Sequence, residues 1–227
     1  MIKISFSLLL LSTIFSCTAQ TTDSNQLVDP SNSIDENSIK LDSSDIHFQF
    51  RGRCTAFNSK KNDVPSNGEA HSQNLASKTD SKFEENRNYL FLNTDEYLNN
   101  GNGLAAHKLY LVNTTKKKVE YAAQDSRLYI VAQALDSNGV WNAISYLPSS
   151  WCGNSYHTLT LGKNEYWSFN VPVFKGTFET KLRYVLTRKD EHQLVSNEID
   201  VRINPDQFNT ELKQGHTPTG LMDSYDD

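Results

Sequence analysis

The stretch HTLTLGKNEYWSFNVPVFKGTFETKLRYVLTRKDEHQLVSNEIDVRI, residues 157–203, decides the fold. Four segments within it, HTLTL, EYWSFNVPVF, ETKLRYVLT and SNEIDVRI, alternate apolar and polar residues at a period of two, the mark of strands with one buried face. The inward set is Leu159 and Leu161, then Trp167, Phe169 and Val171, then Leu182, Tyr184 and Leu186, then Ile199, Val201 and Ile203. Lys163 with Asn164, and Gly176 shortly after Pro172, supply turns, and the charged run RKDEH makes a solvated hairpin tip. Four such strands cannot bury their apolar face alone, so a second sheet has to come from upstream.

Working outward, Asp45 to Phe57 reads as the first folded element, with Ile46, Phe48 and Phe50 on an apolar face and His47, Gln49 and Arg51 opposite. Lys60 to Asn88 is polar for nearly its whole length, and its composition predicts a disordered loop insertion. Tyr89–Leu92, Leu104–Val112, Val119–Tyr121 and Arg127–Leu135 read as strands, and the turn Asp136, Ser137, Asn138, Gly139 joins the last of them to Val140–Ser145. Leu109 and Leu111 share a face with His107. The result is an all-β chain, an antiparallel β-sandwich of about eight or nine strands over 45–210, with 60–88 inserted and a polar tail at 211–227. The span Thr158–Ile203, through EYWSFNVP and the Tyr-containing KLRYVL after Gly176, resembles the late strands of immunoglobulin-like and fibronectin type III-like modules. The Cys, Trp, Cys spacing of antibody domains is missing.

The first sixteen residues, with Lys3 and the apolar run ISFSLLLLSTIF, read as a signal peptide too short to span a bilayer. Ser16 directly before Cys17 resembles the lipobox of bacterial lipoproteins, with Ile14 where Leu is usual and Phe15 bulkier than usual. That resemblance implies a lipidated Cys17 at the mature N-terminus. Thr18, not Asp, follows it, which by the same resemblance implies the outer membrane. An ordinary secretory signal cut nearby is the other reading, and either one takes the mature protein out of the cytoplasm. Residues 17–44, rich in Thr, Ser, Asn, Asp and Gln, read as a flexible, disordered tether. With Cys17 lipidated, Cys54 and Cys152 are an even pair in an oxidising compartment, where a disulfide is the default expectation. Closing that loop contributes roughly 4 to 5 kcal/mol in the chain-entropy model.

The whole chain carries a net charge of −5, and removing residues 1–16 with their single lysine makes it −6. A mildly acidic protein without a basic stripe is a poor ligand for nucleic acid. The loop Tyr146–Tyr156, YLPSSWCGNSY, is aromatic as well as turn-rich, and Trp151, Tyr146 and Tyr156 are candidate stacking groups for sugar rings or peptides. The alternative is that Trp151 plugs the end of the sandwich over the disulfide. Trp167 alternates in phase with the core, and Trp141 beside the turn suits either environment.

His47, His107 and His157 fall on strands, but no HxH or HExxH pair occurs, and no metal or cofactor is expected. Nucleophile-elbow and phosphate-loop motifs do not occur, and Glu84 with Glu85 and Asp95 with Glu96 read as solvated carboxylates, so no enzymatic activity is expected. The expected function is that of a lipid-anchored envelope protein acting as a non-enzymatic binding module for a protein or glycan partner. Carbohydrate binding through residues 146–156 is the alternative.

Overall fold

The computed structural model describes residues 41–58, 74–99, 103–150, 155–188, 190 and 192–209, all within the compact unit Ile39–Asp227. Signal peptide, Cys17, most of the tether, residues 59–73, Trp151, Cys152 and the tail at 211–227 lie outside them. Among the described residues the chain is all-β, apart from a 3-10 turn at Pro205–Phe208. In order the strands are β1 (Ser44–Asp45), β2 (Phe50–Arg51), β3 (Ser77–Lys78), β4 (Asn88–Asn99), β5 (Ala105–Asn113), β6 (Val119–Gln124), β7 (Arg127–Leu128) and β8 (Ile130–Leu135). They continue with β9 (Trp141–Ala143), β10 (Ser145–Tyr146), β11 (Tyr156–Leu161), β12 (Glu165–Pro172), β13 (Phe174–Lys175), β14 (Phe178–Thr187), β15 (Gln193–Val195) and β16 (Ile199–Ile203). Eight of them run five residues or longer.

One antiparallel sheet has the order β3-β12-β5-β4, and another has β15-β14-β8-β9 with β16 also paired to β14. A third, β11-β6-β7, continues beside them, and the two-residue pairs β1-β13 and β2-β10 are parallel. The register explains the core. Leu92, Leu109 and Phe169 form one row across the first sheet, and Leu90, Leu111 and Trp167 form the next. In the second sheet Leu182 faces Ala134 and Tyr184 faces Ala132, large side chains beside small ones. All of these belong to one buried cluster shared by both sheets. Each fully buried large side chain contributes about 1.5 to 3 kcal/mol of transfer free energy. Between the sheets, the exposed Asn197 reaches the edge strand β4: its Nδ2 donates to Leu92 O at 3.0 Å and its Oδ1 accepts from Leu92 N at 2.8 Å. Gly176 is required by close approach, because a Cβ there would fall 2.0 Å from the Ile203 carbonyl carbon.

Three sequence expectations need correction. The first element is not one alternating strand. Phe48 is 63% exposed, and Gln49, expected to face solvent, is 4% exposed with its Nε2 donating to Ala143 O at 3.3 Å. The short segments β1 and β2 add in parallel to different partners, so no continuous pleat carries the alternation through. Second, residues 74–88 are docked on the sheet. β3 pairs with β12, and Phe83 is buried with Tyr110 and Val112 on the outer face of β5, with Tyr89 and Tyr166 beside them. The Lys82 ammonium sits 5.1 Å from the ring centroids of both Phe83 and Tyr110. Third, the folded chain starts before Asp45, since Asp42 bridges Leu104 and Ser44 begins β1.

Candidate functional site

Among the described residues, part of the outer edge of β12 is covered by an extended segment. β3 occupies it over Ser77–Lys78, antiparallel to β12 at Glu165 and Tyr166, and on its far side Leu75 bridges Phe57 in parallel. Asn74 ends this stretch, its Nδ2 donating to Thr55 O at 2.8 Å and to Ser168 O at 3.0 Å. Residues 59–73, which lead into Asn74, lie outside the described residues. Among the described residues, the runs Phe48–Thr55 and Ser168–Pro172 flank a cleft of about 1000 Å³.

The main chain of both walls faces this cleft. Phe50 N–H donates to Ile144 O at 3.2 Å and Gly52 N–H to Tyr146 O at 2.8 Å, so in the extended chain the intervening Arg51 turns its amide the other way. Just past β12, Val173 N–H donates to Ala105 O at 3.2 Å on the β5 side, and by parity Ser168 and Asn170 face outward. Past Tyr166 no strand among the described residues pairs with that edge.

The cleft is basic and amphipathic. Arg51, Arg53 and Lys108 line it, no carboxylate does among the described residues, and none of the three cations has an ion-pair partner there. Cys54, Ile130, Phe169, Val171 and Tyr184 form its buried floor, and the exposed Phe48 ring stands at its rim. The Tyr184 hydroxyl and Gln49 Oε1 are buried with no hydrogen-bond partner. Burial raises the Tyr184 phenol well above its ordinary value, and burial pushes the Cys54 thiol up to about 12. Each such unmet buried atom costs about 1 to 3 kcal/mol, and neither has accessible surface in the cleft.

Of the aromatic loop, Tyr146 lies on β10 and lines this cleft. Tyr156 closes the loop on itself, its hydroxyl accepting from Ser150 N–H at 2.9 Å and donating to Ser150 O at 3.1 Å. Trp151, the third candidate, lies outside the described residues. Trp167 is 0% exposed, donates through Nε1 to Phe57 O at 3.0 Å and meets Tyr121 edge-on, as the core phase predicted. Trp141 is half-buried under the Arg183 guanidinium, 4.1 Å from its ring centroid. Cys54 is a buried free thiol, while Cys152, its expected partner, lies outside the described residues.

The histidines are dispersed. His47 contacts Asp45 and Asp206 at the surface, His107 lies beside Tyr97 with its Nδ1 buried and unpartnered, and His157 Nδ1 meets Ser155 O at 3.0 Å. Burial lowers the affinity of His107 for a proton. Among the described residues no group of three His, Cys, Asp or Glu side chains is placed to hold a metal ion. The sequence-stretch carboxylates have local partners: Glu84 pairs with Arg87, and Glu96 Oε1 accepts from Tyr110 O–H at 2.7 Å. A second cleft, whose lining includes His107, Phe174, Lys175, Phe178, Glu179 and Arg202, carries mixed charge.

Sequence reasoning passed over Arg51, Arg53, Lys108, Tyr184 and Asn170 as site residues. The one signal present was RGR, which sets two cations two residues apart next to an apolar run. Among the described residues no helix is long and apolar enough to cross a membrane. No protein-family model, curated protein or solved structure matches this chain, so its function has to be argued from the cleft and the sequence.

Proposed function

We propose that the chain is a lipid-anchored protein of the bacterial envelope, in the outer membrane, whose immunoglobulin-like β-sandwich is a non-enzymatic binding module. The observation that carries the binding part is the cleft beside β12, where Arg51, Arg53 and Lys108, without ion-pair partners among the described residues, surround a buried apolar floor. The two antiparallel sheets, β3-β12-β5-β4 and the one built around β14, support the immunoglobulin-like reading, since such modules pack two antiparallel sheets over a shared core. Cys17 after Ser16 supports the anchor, and acyl chains there hold a domain stably at about 0.8 kcal/mol per buried methylene. The test is metabolic labelling with radioactive palmitate in a bacterial host. Label on the wild-type chain and none on Cys17→Ala is expected; label persisting in the variant refutes the anchor.

Sugar recognition is the second reading, and the place of Tyr146 on the cleft wall favours it. Tyr156 supports it less, because its hydroxyl is used within the loop.

A further inference from the structure

We infer that the outer face of the first sheet carries a seat for a quaternary ammonium group, and that the chain's own Lys82 occupies this seat in the absence of ligand. The seat is separate from the cleft beside β12 and does not depend on it. The register sets Tyr89, Val112 and Tyr166 in one row and Phe91 beside Tyr110 in the next, on a face that in a sandwich is ordinarily polar. Phe83 is laid on this face. Its ring centroid stands 5.5 Å from that of Tyr110 and 5.0 Å from that of Tyr166, which are themselves 5.5 Å apart, and the three planes are inclined to one another by 67°, 47° and 68°. The Lys82 ammonium lies over all three rings, 5.1 Å from the Phe83 and Tyr110 centroids and 5.9 Å from that of Tyr166. Lys82 is exposed, and among the described residues no carboxylate pairs with its ammonium, so the rings are what hold it.

The seat suits a larger cation than the one in it. Atoms in contact stand about 3.5 to 4 Å apart, so a nitrogen at 5.1 Å leaves a gap of about one methyl group toward each ring. A trimethylammonium group fills that gap with its methyls and sheds water more readily than the compact, strongly hydrated ammonium of lysine. Rings inclined this steeply also favour a ball-shaped ion, because a planar guanidinium lies flat on only one of them. The surrounding field has the matching sign. Glu96 Oε1 accepts from the Tyr110 hydroxyl at 2.7 Å, and burial, then Glu96, then Tyr166 and Asp80, raise the Tyr110 phenol above its ordinary value. Surroundings that oppose a phenolate favour a cation over the same ring.

The test titrates choline into the mature chain, made without acylation, and follows its N-methyl proton resonance, which the rings shift on binding. Saturable binding is expected. Lys82→Ala, an exposed position, removes the internal competitor and is expected to tighten it about two- to fivefold, and Tyr166→Leu, which keeps an apolar side chain but removes one ring face, to weaken it by a similar factor. If circular dichroism shows Tyr166→Leu unfolded, Phe83→Leu takes its place with the same expected direction. 3,3-Dimethylbutanol, which has the shape of choline without its charge, is expected not to compete. No saturable binding to Lys82→Ala, equal affinity in Lys82→Ala and wild type, competition by the neutral analogue, or tighter binding of arginine than of choline each overturns the inference. Sedimentation with phosphatidylcholine vesicles, reversed by choline, supports the seat with a lipid headgroup as the source; choline binding without sedimentation supports it with a free solute as the source.

Discussion

Trp167→Phe tests whether the wall that carries the cleft hangs on one hydrogen bond. The indole fills the row with Leu90 and Leu111, meets Tyr121 edge-on, and donates to the Phe57 carbonyl at 3.0 Å. Replacing it by Phe leaves a void of about 40 Å³, worth about 1 kcal/mol at ~24 cal/mol per Å³. The Phe57 carbonyl loses its donor, at a further cost of about 1 to 2 kcal/mol. Together that is about 2 to 3 kcal/mol, which at a urea m-value of about 2 kcal/mol/M moves the midpoint down by roughly 1 to 1.5 M. Far-ultraviolet circular dichroism reads it without relying on the removed fluorophore. Trp141→Phe is the control, since that ring is half-exposed and its contact with Arg183 is worth about 0.5 to 1 kcal/mol. Equal midpoint shifts in the two variants would refute the anchoring role of Trp167.

Two further outcomes follow from titratable groups. With its thiol at about 12, Cys54 reacts with a disulfide reagent at pH 8 more than about a thousandfold more slowly than a free cysteine, because the thiolate fraction is about one in ten thousand. In guanidinium without reductant it titrates fully; a native thiol reacting at the free rate refutes its burial, and an unfolded chain that titrates no thiol refutes its free state. Asp136 is held below the usual aspartate range, first by the Val140 N–H and then by Asn138, with desolvation opposing. A depressed folded value contributes stability above the unfolded value of 3.8 that is lost as pH falls through the folded one. Asp136→Asn is therefore expected to melt lower than wild type at pH 7, with the gap closing toward pH 2; a gap unchanged by pH rejects the assignment.

Strands β11, β12, β14 and β16 were legible because each buries one face and exposes the other, so composition alone carries the period. The same rule misled at Phe48, where alternation was present but its pairing partners were two short, separate strands. Phe83 was missed as a lone aromatic among polar residues, yet the unbroken run Leu109, Tyr110, Leu111, Val112 already implied cover on both faces of β5. The cleft was not legible at all as a unit. Arg51, Lys108 and Asn170 are far apart along the chain, and only the fold, with the register of β5 on β12, brings them together.

Asn197 has a consequence for life at close quarters. A long edge strand such as β4 is a template on which another copy can dock and start a growing assembly. By occupying both main-chain groups of Leu92 with a side-chain amide, Asn197 removes the pair at that position to which an incoming strand would bond. An amide cannot itself extend a ladder, so growth of a shared sheet is blocked there. Wherever copies meet at high concentration, that small cap works against clumping and keeps each domain separate.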